Sequence, residues 1–389
     1  MAGILLALTA LTGCTPDLPA ARTVGLPADV VAGPPPSSLA GPDRGVIRWQ
    51  RRLEGSVVIG PIVAPDGTIY AGTEAGILHS IDPATGADHW AFDGGGRFSP
   101  GGPSSPALTP SGHVVFAGPA QSLFVLSPDG TLLWREQLSG TGFTPLVVVR
   151  PDPTGSPITR IYVTDVHANL SAFEVGAGAA HSRRWQQSLG LQAHSGPIIG
   201  ADGTIAQAVD DNVVTMRDTG DSLRISWRFH TGETIPVAPV YGAGQILIVS
   251  SNDPYLYAVD PDGERRWRIR RGPLATAPPT VTADSLVYDG DRRGGVNVVD
   301  ARRGRLVARY QTLAPTRLKP SVAVSTASIV DRERRVYFGT LAGHVLGLAP
   351  DGTVRFDLDL GSPVTAAVTL TASGGLVVGA EDGSLSLLD

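Results

Sequence analysis

From residue 43 onward, the chain repeats a pattern of alternating apolar and polar residues eight times. Each copy contains a β-branched and aromatic run such as VVFAG (114–118), a glycine-containing turn, and a second run such as SLFVLS (122–127). Alternation with a period of two residues between such turns is typical of antiparallel β-hairpins. Gly and Pro interrupt every window in which a helix could form. The pattern therefore predicts an all-β fold.

The copies have the length of a propeller blade. Each copy opens with a proline near a short apolar run, and successive prolines lie 39 to 52 residues apart at Pro61, Pro106, Pro145, Pro197, Pro239, Pro279, Pro320 and Pro363. A repeat of this size holds four short strands, which is one blade of a β-propeller. We therefore predict an eight-bladed β-propeller of four-stranded antiparallel blades over residues 43–389.

The two ends of the repeat region complement each other. The last copy stops at SLSLLD (384–389), where the other copies continue into a further strand. The segment PDRGVIRW (42–49) has the character of that missing strand. We expect a strand near residues 46–52 to complete the last blade, because this closes the ring and removes exposed sheet edges.

One large aromatic residue marks the fourth strand of each copy, in most copies four residues after a turn glycine. In the sixth copy the aromatic stands two residues further along, on the same strand face. We expect these rings to fill the wedges between neighbouring blades, where the sheets diverge. They are Trp49, Trp90, Trp134, Trp185, Trp227, Trp267, Tyr310 and Phe356.

The chain before the repeat has a different composition. Residues 3–12 form an apolar run of signal-peptide size, and Leu11, Thr12 and Gly13 precede Cys14, the single cysteine. This arrangement resembles the lipobox of bacterial lipoproteins, although the first three residues lack Lys and Arg. We predict a signal peptide over 1–13, lipidation of Cys14, and a Pro/Gly/Ala-rich linker over 14–42. One cysteine allows no intramolecular disulfide.

Composition and charge argue against nucleic-acid binding, metal binding and catalysis as functions. The net charge of −5 gives no indication of nucleic-acid binding. The eight histidines lack metal-ligand spacing. Many acidic residues precede glycine in hairpin turns, where Asp serves turn geometry, namely Asp66, Asp129, Asp202, Asp262, Asp351 and Asp382. We therefore expect no metal site and no catalytic residues.

The segment SIDPATGADHW (80–90) combines a small residue, Asp, Thr-Gly and Trp. It resembles the blade motif of the PQQ-like repeat propellers, and the resemblance covers about residues 43–389. Members that are quinoprotein dehydrogenases hold pyrroloquinoline quinone (PQQ) with Ca²⁺, are usually much longer, and often have a vicinal disulfide. Because this chain has neither the length nor a second cysteine, we expect a non-catalytic scaffold. The alternative is a quinone- or sugar-binding propeller.

The lipobox, the linker and a lone propeller together resemble lipoproteins of the outer-membrane β-barrel assembly machine. The resemblance implies an exported, monomeric propeller that is attached to a membrane through Cys14. The implied partner is an envelope protein, such as a β-barrel assembly complex. The implied location is the periplasmic face of the outer membrane in a two-membraned cell, and otherwise the outer face of the plasma membrane.

Two surfaces are candidates for binding. Propellers bind through the loops that join blades at one end of the ring, and here those loops contain Arg97, Phe98, Phe143, His194, Glu233, Arg317 and Lys319. A basic flank on blades five and six contains Arg265, Arg266, Arg268, Arg270, Arg271, Arg292 and Arg293. This flank is either the solvated side of an outer strand or a surface for an acidic partner or anionic lipid headgroups.

Overall fold

Eight four-stranded antiparallel sheets follow one another along the chain. The computed structural model describes residues 38–97, 105–143, 146–150, 158–175, 180–271, 274–311 and 323–389. A short 3₁₀ turn spans Ala243–Gln245. The predicted all-β, eight-bladed propeller is confirmed. The signal peptide, the lipobox and Cys14 lie outside the described residues.

The strands are numbered in chain order, and blade 1 begins with the second of them. The first strand is β1 (Ile47–Arg52). Blades 1 and 2 consist of β2 (Val57–Val63), β3 (Ile69–Thr73), β4 (Ile77–Ile81), β5 (Asp88–Asp93), β6 (Ala107–Leu108), β7 (Val114–Gly118), β8 (Ser122–Leu126) and β9 (Leu132–Gln137). Blades 3 and 4 consist of β10 (Leu146–Arg150), β11 (Ile158–Thr164), β12 (Asn169–Val175), β13 (His181–Ser188), β14 (Ile198–Ile199), β15 (Ile205–Val209), β16 (Asn212–Asp218) and β17 (Leu223–His230).

The second half of the ring repeats this arrangement. Blades 5 and 6 consist of β18 (Val240–Tyr241), β19 (Leu247–Ser250), β20 (Tyr255–Val259), β21 (Arg265–Arg270), β22 (Thr280–Val281), β23 (Leu286–Gly290), β24 (Gly295–Asp300) and β25 (Arg305–Gln311). Blade 7 consists of β26 (Ile329–Val330), β27 (Val336–Gly339), β28 (His344–Leu348) and β29 (Val354–Asp359). Blade 8 consists of β30 (Thr369–Leu370), β31 (Leu376–Gly379), β32 (Ser384–Leu388) and β1.

The ring closes without a covalent link. Strand β1 pairs antiparallel with β32, so the N-terminal strand is the outer strand of blade 8. Val46 and Asp389 extend the pairing with two backbone hydrogen bonds of 2.8 Å. The predicted closure by residues near 46–52 is therefore confirmed, and it satisfies edges that would otherwise be free to pair with other chains.

A β-bulge occurs between the third and fourth strands of every blade. In blade 1, for example, Ser80 pairs with Trp90 and Ile81 pairs with Asp88, so His89 is the extra residue. Corresponding register shifts occur in the other seven blades. A bulge bends the strand and re-aims the following side chain, and here that side chain is the aromatic residue or, in blade 6, Ala308.

The aromatic rings join each blade to the next one. The Trp90 ring of blade 1 packs over Gly130 of blade 2, and its Nε1 donates a hydrogen bond to the Pro128 carbonyl at 2.9 Å. Trp49, Trp227 and Trp267 make the same pair of contacts. Tyr310 packs over Gly352 and donates its hydroxyl to the Pro350 carbonyl at 3.0 Å, so it takes the same role from its shifted position.

The remaining aromatic residues vary this contact. Phe356 packs against Gly45 without a polar bond, since it has no donor. The Trp134 ring stacks on His181, with centroids 4.1 Å apart. Trp185 donates its Nε1 to the Asp218 carboxylate at 3.1 Å. Among the described residues, the core consists of eight hydrophobic clusters, each shared by two neighbouring blades. Stability therefore depends on contacts between neighbouring blades all around the ring.

Candidate functional site

The two ends of the ring differ in their loops. In an antiparallel blade, the turn between the second and third strands lies at the same end as the connection from the fourth strand to the next blade. We call this end the connection face; it includes residues 138–143, 189–197, 231–239 and 360–368. We call the opposite end the turn face. The long connections between blades lie at the connection face. Because binding residues are commonly located on such loops, this face is the stronger candidate for a binding surface.

Backbone hydrogen bonds tie neighbouring loops of the connection face together. Val166 N donates to the Thr141 carbonyl at 2.9 Å, and Ala193 N donates to the Val166 carbonyl at 3.1 Å. Further along, Ile235 N donates to the Asp210 carbonyl at 2.9 Å. These bonds hold the loops of this face in a fixed arrangement.

Three of the residues predicted for this face lie on separate connections. Arg97 is exposed and its Nη2 lies 2.6 Å from Glu74 Oε1. His194 is half-buried on the connection from blade 3 to blade 4, and Glu233 is exposed on the next connection. Among the described residues, no contact joins Arg97, His194 and Glu233 to one another. They share a face without forming one cluster. Phe98, Arg317 and Lys319 lie outside the described residues.

Phe143 requires a correction. Its side chain is 1% exposed and belongs to the hydrophobic cluster between blades 3 and 4. Its backbone N donates to the Thr164 carbonyl at 2.9 Å, which holds the connection against β11. The assignment of this ring to the binding face is therefore wrong, because burial of a large aromatic ring in the core is far more favourable than its exposure.

The same face carries a feature that sequence reasoning missed. Leu191 is 84% exposed, the highest value among the exposed large hydrophobic side chains of the described residues. Its loop is held by Asp210, whose carboxylate accepts hydrogen bonds from Leu191 N and Gln192 N, both at 3.1 Å. Asp210 N in turn donates to the Gln192 carbonyl at 2.9 Å. An apolar side chain is thus presented to solvent on a fixed backbone.

The predicted basic flank divides into three environments. Arg265, Arg266, Arg268 and Arg270 are exposed on β21, in alternation with the half-buried Trp267 and Ile269, as expected for an outer strand. Arg292 and Arg293 are exposed but lie on the turn between β23 and β24, at the connection face. The seven arginines therefore do not form one continuous basic flank.

Arg271 is a second correction, because its side chain is fully buried. Its Nη2 donates to the Ser251 carbonyl at 2.5 Å, and its Nε lies 3.5 Å from Asp289 Oδ2. Burial raises the pKa of Asp289 above its usual 3.8, and the nearby Arg271 opposes that rise. The pair joins blades 5 and 6 in the interior, so Arg271 cannot take part in a solvated flank.

A quinone cofactor of this fold family would require a Ca²⁺ site built from oxygen ligands. The six turn aspartates each accept a hydrogen bond from the backbone N–H two residues further on. Their carboxylates therefore serve separate turns around the ring, whereas Ca²⁺ needs several oxygen ligands that converge. In the described part of the chain, no group of three His, Cys, Asp or Glu residues could hold a metal ion. These turn aspartates do not fit the Ca²⁺ that such a cofactor would require.

No helix within the described ranges is long and apolar enough to cross a membrane. The repeat, the blade-to-blade aromatic contacts and the non-covalent closure define the chain as an eight-bladed β-propeller of the PQQ-like repeat type. A family model described as outer membrane protein assembly factor BamB matches residues 37–181 and 167–389. The chain belongs to this family.

Individual relatives agree with this assignment. The chain is 26% identical over 249 residues to the outer membrane protein assembly factor BamB of Bordetella pertussis, an alignment that covers 62% of this chain and 58% of that protein. The chain therefore spans less than two thirds of this relative's length. The crystal structure of BamB from Moraxella catarrhalis matches with a TM-score of 0.66 at 14% identity, over 88% of this chain and 97% of that one.

Solved structures of proteins other than BamB share the same fold. Sqt1 of Saccharomyces cerevisiae matches with a TM-score of 0.70 at 11% identity, over 88% of this chain and 98% of that one. The quinohemoprotein alcohol dehydrogenase of Comamonas testosteroni matches with a TM-score of 0.67 at 13% identity, over 89% of this chain and 76% of that one. At these identities the similarity establishes the fold, and function has to be argued from the site.

Proposed function

We propose that the protein is a non-catalytic scaffold that binds a component of an outer-membrane β-barrel assembly complex through its connection face. Membership of the BamB family supports the scaffold role. The observation that carries the choice of face is Leu191, which is 84% exposed on a loop held by Asp210.

The energetics of this loop favour binding over a purely structural role. Full burial of a leucine side chain contributes about 1.5–3 kcal/mol. Leu191 forgoes nearly all of that energy in the isolated protein, while Asp210 keeps its backbone in place. A partner with an apolar pocket recovers the burial energy and has little loop ordering to offset.

The location follows from the N-terminal residues as part of the same proposal. Lipidation of Cys14 anchors the propeller, and the linker up to residue 42 holds it away from the bilayer. Thr15 rather than Asp follows the cysteine, which in a two-membraned cell favours the periplasmic face of the outer membrane. Mass spectrometry of the mature N-terminus tests this part, since an unmodified or uncleaved Cys14 contradicts it.

The binding face is tested by capture from detergent-solubilised native membranes, with captured β-barrel assembly proteins quantified by mass spectrometry. Leu191→Asp is expected to lower their recovery about tenfold, because it removes the apolar contact and places a charge in the interface. Leu132→Asp is the matched control, since Leu132 is 43% exposed on the outer strand β9, away from the connection face.

Two results would overturn the proposal. Wild-type protein that captures no β-barrel assembly proteins would remove the scaffold role. Equal recovery with Leu191→Asp and Leu132→Asp would remove the connection face as its site. Dye-linked dehydrogenase activity after addition of PQQ and Ca²⁺ would instead support the quinoprotein alternative.

A further inference from the structure

The outer strands of blades 3 to 6 share an unusual charge pattern. Strands β13, β17, β21 and β25 contain ten arginines and no aspartate or glutamate. All ten are exposed. We call this set the basic rim; it consists of Arg183, Arg184, Arg224, Arg228, Arg265, Arg266, Arg268, Arg270, Arg305 and Arg309.

The other half of the ring lacks this pattern. Its outer strands β29, β1, β5 and β9 contain five arginines, which five acidic side chains balance: Asp357, Asp359, Asp88, Asp93 and Glu136. The whole chain carries a net charge of −5. A basic half-ring on an acidic protein is therefore a local arrangement, and it does not follow from a general excess of arginine.

Most of the basic rim is not neutralised within the protein. Arg183, Arg184, Arg266 and Arg309 each contact a carboxylate. Six others have no carboxylate contact in the described part of the chain, namely Arg224, Arg228, Arg265, Arg268, Arg270 and Arg305. These six lie on three consecutive blades, 4, 5 and 6. Like charges on neighbouring strands repel one another, so an anionic partner gains from relieving that repulsion.

Two of these arginines are already positioned by neutral groups. The Arg268 guanidinium stacks 4.4 Å from the centroid of the half-buried Tyr255 ring. Arg228 Nη1 donates to the Leu189 carbonyl at 2.9 Å. Neither contact cancels the positive charge, and both reduce the side-chain freedom that binding would otherwise remove.

The shape of the rim decides between two anionic partners. The outer strands form the curved wall of the ring, and blades 3 to 6 are half of its eight blades. A flat bilayer touches a convex wall along one narrow strip, so it reaches the arginines of one or two blades at a time. A flexible acidic polypeptide can follow the curve and reach all four blades.

We propose that the basic rim binds an acidic polypeptide segment, which lies along the outer strands of blades 3 to 6. This surface lies on the outer wall of the ring, and its arginines are not residues of the connection face. The two surfaces adjoin at Arg228, whose Nη1 donates to the Leu189 carbonyl. An acidic segment of the same partner or of a second protein can therefore bind here while the connection face is occupied. The proposal does not depend on lipidation or on β-barrel assembly proteins.

The probe is fluorescein-labelled poly-L-glutamate, with binding to the purified chain followed by fluorescence anisotropy at about 50 mM salt. The triple variant Arg224→Gln, Arg268→Gln, Arg305→Gln removes one unpaired arginine from each of blades 4, 5 and 6. We expect its affinity to fall about tenfold, because each exposed charge contributes modestly and the three act together. The affinity of the wild type is expected to decline steeply as salt is added.

Two matched variants separate the rim from general charge and from folding defects. Arg48→Gln, Arg52→Gln, Arg135→Gln removes the same charge from blades 8 and 2 and is expected to bind within about twofold of the wild type. The triple variant Arg224→Lys, Arg268→Lys, Arg305→Lys keeps the charge and is expected to retain binding, which a general folding role of these arginines does not predict.

The proposal is overturned if wild-type protein does not bind poly-L-glutamate at low salt. It is also overturned if the two glutamine triples weaken binding equally, since the effect then reflects net charge alone. Phosphatidylcholine vesicles with about 30 mol% phosphatidylglycerol provide the lipid comparison. Binding to these vesicles that exceeds binding to poly-L-glutamate, and that the blade 4–6 triple abolishes, would assign the rim to a membrane surface instead.

Discussion

Replacement of Gly41 by alanine tests how the segment before β1 is held against blade 7. Gly41 N donates to Asp331 Oδ2 at 2.9 Å, and the Gly41 carbonyl accepts from Arg335 Nη2 at 2.8 Å. A Cβ at this position would lie 2.5 Å from the Tyr337 ring, which is fully buried. The ring cannot move into solvent, so we expect the alanine variant to release the segment around residue 41.

The magnitude follows from the contacts that are lost. Both hydrogen bonds involve a charged partner, and each such bond contributes about 1.5–3 kcal/mol. Asp331 and Arg335 remain paired through a contact of 2.6 Å, which limits the loss to the segment itself. We therefore expect the docking free energy to fall by about 3 kcal/mol, so that the undocked state becomes about 100-fold more populated.

Hydrogen–deuterium exchange measures this population directly. Two amides report on the segment: Gly41, bonded to Asp331, and Arg332, bonded to the Leu39 carbonyl at 2.8 Å. Their protection is expected to fall about 100-fold, while β1 stays protected by its pairing with β32. Gly242→Ala is the control, since its Cβ would have no neighbour closer than 3.5 Å. Wild-type protection at residues 41 and 332 in the Gly41→Ala variant would refute the steric argument.

Two further predictions concern the blade contacts. Gly86→Ala should lower the thermal unfolding temperature more than Gly203→Ala, because both residues have positive φ (73° and 80°) but only a Cβ at 86 would meet the Trp49 ring, at 2.8 Å. The extra cost is about 1–3 kcal/mol, and equal losses would argue against ring packing. For Asp289, burial raises the pKa of the carboxyl in the folded state above its ordinary value of 3.8. The folded protein therefore favours the protonated carboxyl. The resulting stabilisation is complete below pH 3.8 and is lost as the pH rises through the folded-state pKa. The unfolding free energy of the wild type relative to Asp289→Asn should therefore decline above about pH 4 in chemical denaturation, and a pH-independent difference would contradict this.

The strands and their number could be predicted because period-two alternation reports directly on the two faces of a strand. The connections between blades show no periodic alternation of apolar and polar residues. The sequence therefore does not predict which of their apolar side chains are buried. Phe143 and Leu191 illustrate this, since one is buried in the core and the other is 84% exposed. The bulge in each fourth strand could not be predicted either. An extra residue in one strand becomes evident only from its pairing with the neighbouring strand.

The alternation along a strand predicts which of its charged side chains face solvent, but it predicts nothing about residues beyond the end of the strand. Alternation along β21 places Arg266, Arg268 and Arg270 outside. Arg271 follows directly, but the chain leaves the sheet there, and its buried side chain faces Asp289 of the next blade. The strand pattern implies that Arg271 is exposed, but its side chain is buried beside Asp289, which lies 18 residues further along the chain. Only the three-dimensional fold brings these two side chains together.

Departures from the repeat include Trp134 of blade 2 and Phe356 of blade 7, but several others lie in the half-ring of blades 3 to 6. Trp185 of blade 3 contacts the Asp218 carboxylate in blade 4 where most of its counterparts contact a backbone carbonyl. The buried Arg271 and Asp289 join blades 5 and 6. Leu191 lies on the connection between blades 3 and 4, and the basic rim covers blades 3 to 6. A propeller needs none of these features to close, because the other blades close without them. Leu191 and the basic rim, on which the two proposals rest, therefore both lie on the half-ring of blades 3 to 6.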